Sequence, residues 1–395
     1  MLSDTNPFLG AVMRAIRVGR PILPEDQPFY TRVEHVPAGN YVEIWFRTGG
    51  CTWDHAGGCT MCNYGYGNAV TSADITDAVR AALDELALPP DELMISPSGG
   101  MWDPGEVPTA ALAPVYALAA TAAPGRFLVE TRAETVGSER LSQMRAALPG
   151  IQLGVEVGLE SAFDSVLAYC VNKGSDAAAF TTAARAVHAC GADMYANVSL
   201  GTAFLDRATA VHDAVNTVRW ALDHGADTAV LFPLHIKPYT LLALLSDHDR
   251  YQPVSLWDLV EALYSLGPEL GRRTEIAWYK SYYDTSKKIS VSPSGCSTCH
   301  DRLISELDRY RATMDFGIVA DLNDARCSCA PPPALTQPPT SGPQIAACIV
   351  DHYDHLARSL GLESVWRARR PRLEPAIHRA FASYPIKGVA VDVGQ

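Results

Sequence analysis

The sequence predicts an α/β fold, a partial (β/α)6 TIM-like barrel with a cysteine-rich C-terminal extension. Three observations lead there. Apolar, β-prone runs recur along the chain, and a segment of helical period follows each one. Strand–helix–strand units of this length make parallel sheets with right-handed crossovers. Polar or glycine-rich residues follow every strand, as where loops at one end of a barrel carry the chemistry. A doubly wound open sheet is the alternative, but six such units suit a barrel or part-barrel better.

In chain order, residues 8–18 read as a short amphipathic helix inside an N-terminal helical extension, 1–40. The barrel, 41–290, takes strands from "YVEIWFRT" (41–48), "ELMISPS" (92–98), "RFLVETR" (126–132), "IQLGVEVGL" (151–159), "DMYANVSL" (193–200) and "DTAVLFPLHI" (227–236). Between them, "SADITDAVRAALDELA" repeats Ala, Val and Leu three and four apart, with Ser72 or Asp74 near its N-cap. "DAAAFTTAARAVHACG" and "ATAVHDAVNTVRWALDHG" stop at Gly191 and Gly225, good C-terminal signals. Residues 291–330 form a cysteine-rich metal-binding segment, and 331–344 a proline-rich linker. Residues 345–395 form a small helical lobe.

The chain has 395 residues, 48% hydrophobic and 19% charged, the balance of an ordinary globular protein. No run of eighteen apolar residues predicts a membrane span, and the N-terminus lacks the pattern of a signal peptide. The cytoplasm is the expected compartment. The formal net charge of −12 speaks against nucleic acid, whose binding draws most of its affinity from phosphate neutralisation. The one dense basic run, "WRARRPR" (366–372), reads as a solvated helix face. An acidic chain favours a small, cationic substrate.

Ten cysteines in a cytosolic chain point to metal or catalysis rather than disulfides. Cys51, Cys59 and Cys62 stand together in "TGGCTWDHAGGCTMCNYGYGN". Three thiolates fit zinc with His55 as the fourth ligand, or an iron–sulfur cubane with one iron left open. The glycines around them favour the cubane, because they let backbone amides approach a bulky cluster. Cys296, Cys299, Cys327 and Cys329 form a second group, C-x2-C-x27-C-x-C. Structural zinc is the first reading there, and an auxiliary iron–sulfur cluster the second. His300 reads as solvated. Cys170, Cys190 and Cys348 stand alone and read as small buried hydrophobes.

Over residues 40–240 the chain resembles the radical S-adenosylmethionine (SAM) enzymes. The C-x7-C-x2-C spacing departs from the commoner C-x3-C-x2-C and is similar to that of the archaeosine-forming subgroup, with Elongator-type subunits more distant. "GGCTMCNYG", "SPSGGMWDPGEVP", "VETRAETV" and "GLESAFDSVLAYCVNKG" carry the resemblance further. It implies that Cys51, Cys59 and Cys62 bind a [4Fe–4S] cluster. It places Met61 and the Tyr64 backbone at the adenine, and Gly99 and Gly100 at the methionyl amine. Met101 stands where the family's motif has a glutamate. By the same resemblance Glu130 faces SAM, Glu160 and Asn197 reach the ribose, and Lys173 pairs with the methionine carboxylate. The implied reaction is reductive cleavage of SAM to a 5′-deoxyadenosyl radical that takes hydrogen from substrate.

Asp103, His235, Lys237 and the run "WYKSYYD" (278–284) are the expected substrate-facing residues. Asp103, then Lys237 and Tyr282, are the candidates for moving a proton. The first expectation for function is a radical diol dehydratase acting on an aminoglycoside precursor, of the apramycin type, in antibiotic biosynthesis. It would draw on a flavodoxin-type electron donor and a downstream NADPH-dependent reductase. A tRNA-modifying enzyme is the alternative, and a non-enzymatic metal-binding scaffold the third reading.

Overall fold

The computed structural model describes residues 6–21, 28–65, 67–97, 99–281 and 290–384. One sheet of eight strands runs in sequence order: β1 (Phe29–Val36), β2 (Gly39–Phe46), β3 (Glu92–Pro97), β4 (Arg126–Thr131), β5 (Gln152–Glu160), β6 (Asp193–Leu200), β7 (Thr228–Pro233) and β8 (Thr274–Ile276). From β2 to β8 every neighbour is parallel, and the sheet curls into a half-barrel. The six strands expected from the apolar runs are all present. β1 pairs antiparallel with β2, so residues 29–36 form a strand and not part of a helical extension. A tight turn reverses the chain there, with Gly39 at a φ of 126° that other residues rarely adopt.

Side chains alternate along these strands. Val42, Ile44, Leu93, Ile95, Val155 and Val157 point outward into a continuous core under the helices. Their neighbours, among them Glu43, Trp45, Glu130, Glu156 and Asn197, face the lumen.

The helices follow in chain order: α1 (Pro7–Ile16), α2 (Thr52–Ala56), α3 (Ser72–Asp84), α4 (Thr109–Ala122), α5 (Ser138–Ala147), α6 (Asp164–Val166), α7 (Ala177–Ala189), α8 (Arg207–Asp223), α9 (Leu241–Asp247) and α10 (Leu256–Gly271). The N-cap of α3 is Thr71 rather than Ser72 or Asp74. Its hydroxyl accepts from the Asp74 amide at 3.2 Å while the Asp74 carboxylate accepts from the Thr71 amide at 2.8 Å, a reciprocal capping box. Gly191 and Gly225 end α7 and α8 at positive φ, as the sequence predicts.

Four more helices follow the sheet: α11 (His300–Thr313), α12 (Phe316–Asp324), α13 (Gly342–Ser359) and α14 (Glu363–Ala382). The proline-rich stretch before α13 is docked, not free. Arg207 donates to the Pro332 carbonyl at 2.7 Å, and the Leu335 amide to Glu261 at 2.7 Å. α13 and α14 pack as a pair and receive the N-terminal helix α1. Phe8 meets Tyr353 and Trp366 with ring centroids 5.1 and 4.7 Å apart, and Asn6 donates to the Tyr353 hydroxyl at 2.7 Å. Among the described residues, no helix is long and apolar enough to cross a membrane.

Candidate active site

The loop after β2 carries the first cysteine group. Cys51 caps α2, and the chain then turns through Gly57 and Gly58 before Cys59 and Cys62. Gly65 permits a close approach: a Cβ there would lie 1.9 Å from the Asp54 carboxylate. Asp54 is the loop's internal anchor. Burial pushes its carboxyl up, and Arg17 and Arg20, just past α1, pull it back. Arg17 also donates to four loop carbonyls: Asp54 at 2.9 Å, Cys62 at 2.8 Å, Cys59 at 3.4 Å, and Gly57.

A second clasp comes from the segment between β5 and α7. Asn172, in the left-handed region at φ 56°, donates from its side chain to the Gly58 carbonyl at 2.8 Å and accepts from the Trp53 indole at 2.9 Å. Thr60 donates to the Cys170 carbonyl at 2.9 Å. The sequence reading missed this clasp, because its donors and acceptors are mostly backbone groups far apart in the chain.

All three cysteines open on the lumen, a cavity enclosed by the sheet. Met61, Tyr64 and Gly99 line it beside them, and Glu130, Glu160, Lys173 and Asn197 line it from β4 to β6. The Lys173 ammonium lies 3.0 Å from Glu160, whose other oxygen accepts from Ser199. Burial alone would lower the Lys173 pKa, but Glu160 and the Cys59 thiol more than offset it, and the lysine stays charged. Asn197 donates to Glu130 at 3.4 Å.

Lys237 donates to the Tyr64 hydroxyl at 2.6 Å, and its ammonium sits 4.3 Å from that ring's centroid. Burial lowers its pKa, partly opposed by Cys62 and Glu130. His235 is held neutral, at about 4, by burial and by Lys237. Trp278 lines the cavity too, whereas Tyr279 is turned into the core and donates to Asp308 at 2.6 Å. Tyr282 lies outside the described residues.

Asp103 is placed differently from the sequence expectation. It stands behind the cavity wall, accepting from the Thr52 hydroxyl at 2.6 Å, from the Gly105 amide at 2.8 Å and from Arg132. Against the cost of burial, those donors hold its carboxyl below the usual range, so it is a poor proton acceptor. Arg132 also reaches the Cys51 sulfur at 3.4 Å and Glu106 at 3.2 Å. Glu106 in turn accepts from the Thr52 amide at 3.0 Å and from the Gly100 amide. Gly100 is thus behind the wall with its amide committed, and Met101 is fully buried in the core.

Sequence reasoning also missed Glu43 and Glu156. The strand alternation in "VEVGLE" already puts Glu156 on the face of Glu160. Burial, then Glu43, raises the Glu156 carboxyl to about 7. Burial, then Glu156 and Glu43, raises Glu130 well above the carboxylate range. Two arginines close the far end. Arg311 of α11 meets Glu275 at 2.5 Å and Glu34 at 3.3 Å, and Arg32 pairs with Glu43.

No protein-family model matches the chain. Among curated proteins it is similar to archaeosine synthase subunit beta of Methanosarcina acetivorans, 27% identical over 72% of this chain and 82% of that one. The same subunit of Thermococcus kodakarensis is 26% identical over 67% and 82%. Among solved structures, the Elp3 of Methanocaldococcus infernus shares 13% identity at a TM-score of 0.43, over 60% of this chain and 58% of that one. Over most of its length the chain is thus similar to archaeosine synthase subunit beta.

The residues fit the cofactors of a radical SAM enzyme. Burial, then Glu106, pushes the metal-free Cys51 thiol up to about 12, and a coordinated metal ion would favour its thiolate. Cys51, Cys59 and Cys62 would hold the cluster. Gly99 leaves the opening beside it, since a Cβ there would lie 1.9 Å from Glu106 and 3.4 Å from the Cys51 Cα.

The second cysteine group closes as the spacing predicts. Cys299 precedes α11, and Cys327 and Cys329 follow α12. All four sulfurs lie within 4.8 Å of one another. His300 is not part of the set; its Nδ1 accepts from the Gly295 amide at 3.4 Å.

Proposed function

We propose that this chain is a radical SAM enzyme that takes a hydrogen atom from an amine-bearing polar substrate seated in the lumen. The observation that carries the reading is the gathering of Glu43, Glu130 and Glu156 on the cavity wall. Burial and mutual repulsion raise Glu130 and Glu156. A bound ammonium would relieve that repulsion and restore both as carboxylates, which makes the site selective for cations. The net charge of −12 attracts the same class of ligand.

When bound, SAM on the reduced [4Fe–4S] cluster supplies the 5′-deoxyadenosyl radical. The chain's own residues position and shield. Lys173 offers its charge to a carboxylate, and Glu160 accepts from hydroxyls. Trp45, Trp278 and Phe232 exclude water from the lumen. Lys237 is the group placed to move a proton. Burial eases its deprotonation, and its bond to the Tyr64 hydroxyl gives the proton a path. The electron comes from an external donor of the flavodoxin type.

The relatives' name supports a tRNA-borne nucleobase as the amine-bearing substrate. The acidic charge of this chain favours a second reading, a free aminosugar that loses a hydroxyl after hydrogen abstraction. One experiment separates them. Anaerobically reconstituted, reduced protein is incubated with SAM and either precursor tRNA or aminosugar diols, and 5′-deoxyadenosine is counted against substrate mass change. Turnover of tRNA that falls steeply with salt supports the nucleobase. Turnover of the aminosugar alone supports dehydration. Full SAM cleavage by Cys59→Ala would overturn the cluster assignment itself.

A further inference from the structure

We propose that Cys296, Cys299, Cys327 and Cys329 hold a single tetrahedral zinc ion, not an auxiliary iron–sulfur cluster, and that this ion fixes the helix that closes the floor of the lumen. The sulfur separations carry the first half. Cys296 lies 3.7 Å from Cys299 and 3.8 Å from Cys327, and Cys299 lies 3.5 Å from Cys329. Four thiolates on one ion at about 2.3 Å stand at the corners of a tetrahedron whose edge is about 3.8 Å. These three separations match that edge, and all six lie within 4.8 Å.

A cubane cannot be served this way. It carries one cysteine on the outside of each iron, which spreads the four sulfurs well beyond single-ion reach. A two-iron cluster would bring cysteines together in pairs and hold the pairs apart. Here close contacts run within the first pair and from each of its members to the second, so no partition into two distant pairs exists. Among the described residues, no other set of metal-ligating side chains is gathered this tightly, the three cysteines of the lumen loop included.

The surroundings suit a four-thiolate ion. Backbone bonds close the turn that carries the first pair: the Cys299 and His300 amides donate to the Cys296 carbonyl at 3.0 and 2.9 Å. Gly295 makes room: a Cβ there would lie 2.7 Å from the Cys299 sulfur and 2.9 Å from Leu303. With Cys329 exposed to solvent, thiolates favour zinc over ferrous iron in the ordinary order of affinities.

The second half follows from where the ligands sit. Cys299 is the N-cap of α11, the helix that carries Arg311 to Glu275 and Glu34. Cys327 adjoins Arg326, which lies 3.7 Å from Glu261 on α10 and donates to the Pro331 carbonyl at 2.9 Å. One ion therefore ties the start of α11 to the segment beyond α12 and to a barrel helix.

The test uses the whole chain as purified, before any iron or sulfide is added and without SAM or substrate, so its outcome is independent of the function proposed above. Metal analysis is expected to give about one zinc per chain. That zinc is retained when Cys51, Cys59 and Cys62 are all replaced by Ala, and lost in Cys296→Ser. Because Cys296→Ser risks misfolding, the unmutated protein is also exchanged with Co2+. The expected spectrum shows the intense visible bands and thiolate charge-transfer absorption of a tetrahedral four-sulfur site. Native-state amide exchange on stripping the metal is expected to rise first in α11. Iron with acid-labile sulfide at this site, mononuclear iron in place of zinc, or no metal at all would each overturn the assignment. Zinc whose removal leaves α11 protected would overturn its role on the lumen floor.

Discussion

Glu156 shows most plainly what one side chain adds to the lumen. It sits where the strand alternation aims it, and it shares the wall with Glu43 and Glu130 among other carboxylates. Its raised pKa makes the empty protein hold a proton that the unfolded chain releases near 4.5. Stability from this residue is therefore fully present below about 4.5 and is lost as pH rises toward about 7. Glu156→Gln should flatten that part of the stability profile in urea melts of the substrate-free protein. The same variant should raise KM for an amine-bearing substrate about tenfold, the loss of roughly 1.4 kcal/mol of charge pairing. An unchanged KM would move the cation site elsewhere on the wall. Asp103 teaches the converse. Its place after the glycine pair makes it conspicuous in the sequence, but Arg132, across the chain, decides what it does.

At the scale of elements, short contacts from helix ends hold the cysteine loop. Arg17 binds Asp54 inside the protein, with Arg20 as the only second cation on that carboxylate among the contacts described. Arg17→Met leaves the buried charge half-compensated, and should cost about 3 kcal/mol in a denaturant melt. It should also speed chelator-driven loss of iron from the reconstituted protein several-fold, which a purely global effect would match only at the melting temperature. α8 carries a different device. Asp213 accepts from Ser161 at 3.1 Å and from Tyr384, beyond α14, at 2.9 Å, and burial raises it to about 7. Folding therefore favours its protonated form, and that contribution fades between about 3.8 and 7. Asp213→Asn should melt at a higher temperature than the parent at pH 8 and match it at pH 4.

The sequence legibility of these elements follows from what made them. Six strands announce themselves because both faces are buried, which leaves near-continuous apolar runs. β8 is three residues long and leaves no pattern to read. β1 alternates exposed and covered residues on the edge of the sheet, with Val33 exposed, and so blends with its surroundings. The cysteines and the lumen-lining Glu130, Glu160, Lys173 and Asn197 are readable from local motifs. The clasp at Asn172 and the carboxylate wall were not, because they come from residues that meet only after the sheet has curled.

For the whole molecule, α1 and the α13–α14 pair form one brace. α1 lies between the cysteine loop and the α13–α14 pair, with Phe8 wedged against Tyr353 and Trp366. Trp366→Ala should cost about 3–5 kcal/mol by opening a cavity there. It should weaken iron retention as Arg17→Met does, although the described ring and hydrogen-bond contacts of Trp366 all lie outside the loop. Normal iron retention in a destabilised Trp366→Ala protein would show that the brace does not reach the loop. The long reach of these contacts also sets an order of events in biosynthesis. Thr60 waits for a partner 110 residues downstream, Trp53 for one 119 residues downstream, and Asn6 for one 347 residues downstream. A nascent chain exposes its three cysteines long before those partners leave the ribosome. A cradle braced by all of these contacts would be complete only after synthesis has passed Trp366.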